Sequence, residues 1–161
     1  NSLHMTIAPA EVSEDVAKEA HELALRLAQG FELAGILAIE LFVTKDERVI
    51  VNELAPRPHN SGHYTIEACS FDQFDAHIRG IAGWPLEQPE LLKPAVMVNV
   101  LGQHVAPTRA LIAEHPEWNM HDYCKAEVRH DRKMGHITVL TDDTRQTVAD
   151  IEQTGCWDDL K

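Results

Sequence analysis

The sequence predicts an α+β fold in two parts, residues 1–86 and residues 87–161. Three observations carry this. A helical stripe of apolar residues lies between Ser13 and Gly30, and two β-branched runs joined by a polar connection lie between Ile36 and Ala55. A stretch around Glu87 to Lys93, with prolines nearby, marks a boundary beyond which the pattern changes to short strands and turns. With 161 residues, 44% hydrophobic and 25% charged, the chain has material for one core or two small ones.

Taken in order, residues 1–10 read as a strand running into a loop with no leading element, the way a chain cut inside a domain would start. In 13–30, Val16, Ala20, Leu23 and Leu27 share one face, Glu14 and Asp15 suit the positive end of the helix, and Gly30 can close it. Residues 36–43 and 49–55 form a hairpin across the polar connection 44–48. After a loop rich in proline and histidine, Ser70 with Gln73 three residues on resembles a capping box. Phe74, Ile78 and Ile81 then supply a buried stripe up to Gly83, and Trp84-Pro85 ends the helix. In the second part, 95–101 and 136–141 read as strands, 107–114 and 144–154 as helices, and 130–135 as a turn. There is no internal repeat and no low-complexity segment.

Composition narrows the function. A net charge of -12 repels a phosphate backbone, so no nucleic-acid role is expected, and a phosphorylated small molecule would need a local basic cluster. Cys69, Cys124 and Cys156 are odd in number and lack C-x-x-C spacing, which points away from a disulfide framework or zinc site and fits a reducing cytoplasm. No apolar run approaches the roughly 20 residues of a membrane span, and the first residues lack the pattern of a secretory signal, so no membrane association is expected.

Two acids interrupt the hairpin. If 45–48 is a four-residue loop, Thr44 pairs with Val49, and counting back sets Glu40 opposite Glu53 on one face. Directly opposed side chains have Cβ atoms about 4.5–5.5 Å apart, and two carboxylates there repel unless a cation or a proton intervenes. Asn52 could add a neutral oxygen if its side chain turns to that face, giving a hard, all-oxygen site suited to magnesium on nucleotide phosphates. The alternative is a solvated face whose acids pair with Lys45 or Arg48.

Directly after the second strand comes Asn52-Glu-Leu-Ala-Pro-Arg-Pro-His-Asn-Ser-Gly-His-Tyr-Thr-Ile-Glu-Ala-Cys69. Arg57 offers a planar fork for a phosphate or carboxylate. His59 and His63 can donate or accept near neutral pH, and Asn60, Ser61 and the Gly62 backbone add short-range hydrogen bonds. Each member alone also has an ordinary structural reading: prolines stiffen a turn and Asn-Ser-Gly is common turn chemistry.

This string resembles the signature of the N5-carboxyaminoimidazole ribonucleotide synthases, a family of ATP-grasp carboxylate–amine ligases. Ile7-Ala-Pro-Ala10, Leu37-Ala-Ile-Glu-Leu-Phe42, Val96-Met-Val-Asn-Val-Leu-Gly102 and Arg132-Lys-Met-Gly-His-Ile-Thr-Val139 are similar to family segments in the same order, so the resemblance covers nearly the whole chain. It implies that 1–86 is the C-terminal portion of an ATP-grasp domain, an antiparallel sheet with helices, and that 87–161 is a small β-rich C-terminal domain of hybrid-motif type. It further implies ATP- and bicarbonate-dependent carboxylation of 5-aminoimidazole ribonucleotide in purine biosynthesis through carboxyphosphate, in a cytoplasmic homodimer.

Carried over by position, Glu40 and Glu53 would ligate magnesium, or manganese in its place, on the ATP phosphates, with Asn52 assisting. Arg57 and His59 would be the catalytic groups. Arg57, His59, Asn60 and Ser61 would hold the ribonucleotide or the carboxylating species, and Lys125 and Arg132 the ribose phosphate. The chain has Tyr123-Cys-Lys125 where the family often has Tyr-Gly-Lys, which would strain the turn if that position needs a positive φ. No glycine-rich phosphate loop occurs here. In the family such a loop, further lysines and an N-terminal doubly wound domain lie elsewhere, so this chain alone is expected not to turn over. A formate-dependent glycinamide ribonucleotide transformylase would share the paired acids, and a non-catalytic dimerisation or binding module is the third reading.

Overall fold

The computed structural model describes residues 4–160. In chain order the elements are β1 (Met5–Ala8), α1 (Glu14–Gly30), β2 (Ala38–Val43), β3 (Val49–Ala55), α2 (Thr65–Ala68), α3 (Gln73–Ala82), β4 (Ala95–Leu101), α4 (Val105–Leu111), β5 (Asn119–Asp122), β6 (Lys133–Leu140) and α5 (Thr144–Gln153). This is the mixture of helix and antiparallel sheet that the sequence predicts. Of the strand expected within 1–10, residues 1–3 lie outside the described residues.

Compactness divides the chain into two units that interleave along the sequence, where the pattern alone set a single cut between residues 86 and 87. One unit holds residues 4–9, 64–70 and 91–160; the other holds 10–63 and 71–90. The interleaving follows from strand pairing: β1 joins β4 antiparallel, Met5 opposite Val98 and Ala8 opposite Ala95.

The larger unit is built on a four-stranded antiparallel sheet ordered β1-β4-β6-β5. All seven residues of β4 are buried, as its almost unbroken apolar run requires of a central strand covered on both faces. Val96, Val98, Val100, Ile137, Val139, Ile151 and Trp157 form the heart of its core.

In this unit one strand and one helix differ from the sequence expectation. The strand expected at 136–141 begins earlier, at Lys133, because Gly135 belongs in it. A Cβ at Gly135 would stand 2.3 Å from the His121 carbonyl oxygen, so this glycine marks close approach of β5 rather than a turn. The helix expected at 107–114 starts at Val105 and passes at Ile112 into a 3₁₀ turn, placing Pro107 in the first turn of the helix, where its missing N–H costs nothing.

In the smaller unit, Ser13 caps α1 by accepting from the Val16 N–H, and Glu14 and Asp15 occupy the first turn. Gly30 does not close the helix through a left-handed conformation; it remains helical, Phe31 is the C-cap, and the positive φ values fall on Glu32 and Gly35. The chain returns through β2 and β3, which pair only with each other. Ser70 does not cap α3. Asp72 does, accepting from the Phe74 and Asp75 N–H groups at 2.8 and 2.9 Å, and Gly83 ends the helix at φ +67°. Only Val16, Ala55 and Gln73 are buried among the described residues of this unit; Phe31, Phe42, Val43 and Ile50 are exposed, and so are Phe74, Ile78 and Ile81, the stripe of α3 that the sequence expectation had buried. No described helix is long and apolar enough to cross a membrane.

Candidate functional site

The hairpin register puts Glu40 opposite Glu53, by a different route from the one counted along the sequence. The loop is one residue longer than expected, so Val43 rather than Thr44 pairs with Val49, and Leu41 faces Val51. A β-bulge at Asn52 then absorbs the extra residue and restores the Glu40–Glu53 pair. The loop is closed by Thr44, whose hydroxyl bonds Asp46 at 2.6 Å and accepts from the Arg48 N–H at 3.0 Å, while Glu47 takes φ +59°. Arg48 is held by Asp46 at 2.9 Å, so this arginine does not neutralise the paired acids.

Bulges re-aim side chains, and this one brings the Asn52 amide to donate to Glu40 Oε2 at 3.2 Å. On its other side, Glu40 Oε1 lies 3.7 Å from His59 Nε2. The Glu53 carboxylate has no hydrogen bond or ion pair among the described residues. The opposed Glu40 and Glu53 carboxylates are hard oxygen donors of the kind magnesium accepts when phosphates and water fill the rest of its shell, while the Asn52 group aimed at Glu40 is its NH2, a hydrogen-bond donor. No cluster of three or more His, Cys, Asp or Glu fit for a metal occurs among the described residues, so the protein alone builds no closed cage.

The loop after β3 is shaped by its own backbone. The Arg57 N–H donates to the Ala55 carbonyl at 2.8 Å, and the guanidinium donates to the Pro58 carbonyl at 3.1 Å and meets no acid among the described residues. Asn60–Gly62 form a 3₁₀ turn capped by His59, whose Nδ1 accepts from the Ser61 N–H at 3.3 Å and lies 2.9 Å from the Ser61 hydroxyl. A backbone N–H can only donate, so the neutral His59 ring carries its proton on Nε2. Glu40, Asn52, Glu53, Arg57, His59, Asn60 and Ser61 thus all belong to the smaller unit. A cavity of about 370 Å³ in the same unit is lined by Phe31, Leu33, Leu37, Leu54 and Pro56. Leu54 follows Glu53 in a pleated strand and faces the other way, so this apolar hollow is separate from the carboxylates.

Lys125 and Arg132 belong to the larger unit. Lys125 donates to the Lys133 carbonyl at 2.6 Å with its ammonium 5.7 Å from the centre of the Tyr123 ring; the Tyr123 hydroxyl lies 2.8 Å from His136 Nδ1. Arg132 donates to the Glu127 carbonyl at 3.1 Å, and the turn that carries it is clamped by Gln103, which accepts from the Asp131 N–H at 2.9 Å. Cys124 adopts φ +52°, the conformation in which glycine is at ease. Its strain is carried by Asp122, which accepts from the Cys124 N–H at 2.8 Å in an Asx turn. That bond, followed by the Arg109 guanidinium, holds the Asp122 carboxyl below the usual carboxylate range. Cys124→Gly is therefore expected to stabilise the chain by about 0.5–1 kcal/mol, seen as a higher urea midpoint at an unchanged slope.

Sequence reasoning took Gln73 for a capping residue, whereas its side chain is buried against the loop. It also missed Asp122 and the buried His136 behind Tyr123. The one signal for His136 was its place in a strand of alternating pattern.

Comparison with known proteins shows which family the chain resembles. The ATP-grasp domain pattern matches residues 1–74, and that of the phosphoribosylaminoimidazole carboxylase C-terminal domain matches residues 95–150. The N5-carboxyaminoimidazole ribonucleotide synthase of Staphylococcus aureus is 47% identical over 150 residues, 92% of this chain and 40% of that protein. The crystal structure of an ADP complex of N5-carboxyaminoimidazole ribonucleotide synthetase superposes with TM-score 0.95 at 43% identity, covering 98% of this chain and 42% of that one. The Aspergillus clavatus enzyme in complex with ADP and 5-aminoimidazole ribonucleotide gives TM-score 0.86 at 34% identity over 96% of this chain and 43% of that one. The chain thus spans about two fifths of the length of its relatives. It belongs to the N5-carboxyaminoimidazole ribonucleotide synthase family of ATP-grasp proteins.

Proposed function

We propose that the intact protein containing this chain carboxylates 5-aminoimidazole ribonucleotide on its exocyclic amine, consuming ATP and bicarbonate and releasing ADP and phosphate, as a step of purine biosynthesis. The observation that carries the proposal is the Glu40–Glu53 pair across the Asn52 bulge, continuing without interruption into the Arg57–Ser61 loop. A nucleotide site and a loop of anion-binding donors are thereby joined in one segment of chain. Relatives caught with ADP, and one with 5-aminoimidazole ribonucleotide as well, support the substrates.

Glu40 and Glu53, assisted by Asn52, would hold magnesium, or manganese in its place, which when bound neutralises charge on the ATP phosphates. Arg57, exposed and free of acidic partners among the described residues, stabilises the charge that develops on the transferred phosphoryl group and on carboxyphosphate. His59 offers Nε2–H as a donor, and with Asn60 and Ser61 it holds the carboxylating species or the ribonucleotide. Lys125 and Arg132 take the ribose phosphate, whose dianion an acidic protein must meet with a concentrated pair of cations. We assign residues 1–86 to the ATP-grasp domain and 87–161 to the C-terminal domain, and the protein to a cytoplasmic homodimer.

The exposed apolar residues of the smaller unit are the faces that the remainder of an ATP-grasp domain would cover, so residues 1–161 alone should be inactive. The deciding assay measures ADP release by the full-length enzyme. It is expected to require both 5-aminoimidazole ribonucleotide and bicarbonate. Release supported by formate and glycinamide ribonucleotide instead would favour the transformylase reading, and no ATP turnover with any substrate would favour a non-catalytic module.

A further inference from the structure

Gln73 is the one buried polar side chain among the described residues of its compact unit, 7% exposed. Because Asp72 caps α3, the Gln73 carboxamide is not needed at the helix terminus and turns to the loop instead. Its Oε1 accepts from the His59 N–H at 2.9 Å and its Nε2 donates to the His59 carbonyl at 2.8 Å. A backbone N–H only donates and a carbonyl only accepts, so these two bonds admit a single orientation of the carboxamide. The second hydrogen on Nε2 meets His63 Nδ1 at 3.0 Å. That nitrogen must be the acceptor, so the neutral His63 ring carries its proton on Nε2, as His59 does through Ser61.

Gly62 makes the approach achievable. A Cβ at this position would stand 2.5 Å from Gln73 Oε1 and 2.8 Å from its Cδ. The His59 peptide, the Gly62 backbone and the His63 ring, all in or beside the 3₁₀ turn, are thereby held against one side chain.

We propose that Gln73 is a positioning residue for the loop, holding the one conformation in which the His59 and His63 rings both use Nδ1 as an acceptor within the loop and carry their proton on Nε2. The significance for substrate rests on the loop being the substrate contact, as proposed above; the clamp itself does not. A neutral imidazole fixed as a donor binds carbonate-like and phosphate-like oxygens without the cost of protonation. The role is one of orientation, since Gln73 offers no free group to the substrate itself.

The test has two arms. In the first, the 161-residue chain is labelled with ¹⁵N and its imidazole resonances are recorded at pH 8, above the ordinary imidazole pKa of about 6.5. His59 and His63 are expected in the Nε2–H form. Gln73→Met and Gly62→Ala should each turn His63 into a mixture of tautomers, the second by displacing the carboxamide without altering it. Gln73→Glu, which can accept but not donate when ionised, should move the His63 proton to Nδ1. The amide spectrum shows whether each variant keeps the fold. An Nδ1–H His63 in the unaltered chain, or an unchanged tautomer in a folded Gln73→Met, overturns the clamp.

In the second arm, Gln73→Met in the full-length enzyme should lower kcat by about 10–100-fold while leaving the KM for ATP unchanged, as loss of an orienting partner does. A kcat that stays constant although the tautomer has shifted overturns the functional half of the proposal, whereas the substrate reading of the loop is tested separately by the ADP-release assay.

Discussion

Glu53→Gln in the full-length enzyme is expected to lower kcat by about 10²–10³-fold and to raise the magnesium concentration needed for half-maximal rate. Glutamine has nearly the shape of glutamate and can still offer an oxygen, so what the change removes is charge. Glu53 faces Glu40 across the bulge and its carboxylate meets no hydrogen-bond donor or cation among the described residues, so no direct partner there compensates its charge. Two such carboxylates are tolerated where a cation sits between them. The same change should act in the opposite direction on the metal-free chain. Relieving like-charge repulsion across the strands is expected to stabilise it by roughly 0.2–1 kcal/mol in urea unfolding. Loss of activity with a small gain in stability would separate a functional carboxylate from a structural one. Full activity of Glu53→Gln would sink the metal assignment.

The hairpin shows how a correct reading can come from partial information. The sequence set Glu40 against Glu53 by assuming a four-residue loop and a regular ladder. The chain instead has a longer loop and a bulge, two departures of one residue that offset each other. Neither was legible, since the loop is fixed by the Thr44 hydroxyl bonding to Asp46 and Arg48, and the bulge by which residue is left unpaired. Amphipathic periodicity located α1, and a continuous apolar run located β4, because both patterns are local. What escaped was set by distant partners. The place of β1 depends on pairing with β4, some 90 residues later. The short edge strand β5, Asn-Met-His-Asp, has no β-branched residue and is recognised only by its ladder to β6. Gln73 read as a capping residue because S-x-x-Q fits the motif, yet Asp72 is nearer the helix start and left the carboxamide free for the loop. The candidate residues themselves were legible as a dense string of donors, but the resemblance, more than geometry, set Lys125 and Arg132 apart from an ordinary basic turn.

Trp157→Ala is expected to cost about 3–5 kcal/mol, a large share of the 5–15 kcal/mol that typically holds a domain together. Trp157 is 4% exposed, and its indole N–H donates to the Asn99 carbonyl of β4 at 2.8 Å. Its ring meets Trp118 edge-on at 6.1 Å and His104 at 5.9 Å. Truncation removes the packing of a large aromatic and leaves the Asn99 carbonyl without this donor inside a core that cannot collapse around a rigid sheet. Trp157→Phe keeps most of the apolar surface and loses the N–H, so its cost should be smaller, about 1–2 kcal/mol. The order of the two variants is the informative result, read from guanidinium unfolding followed by amide exchange. Slowly exchanging amides of β4 and β6 should lose protection in Trp157→Ala, since both strands belong to the same core as Trp157. A loss below about 1 kcal/mol in Trp157→Ala would mean that the indole is dispensable and that the sheet is held chiefly by the aliphatic residues of β4 and β6.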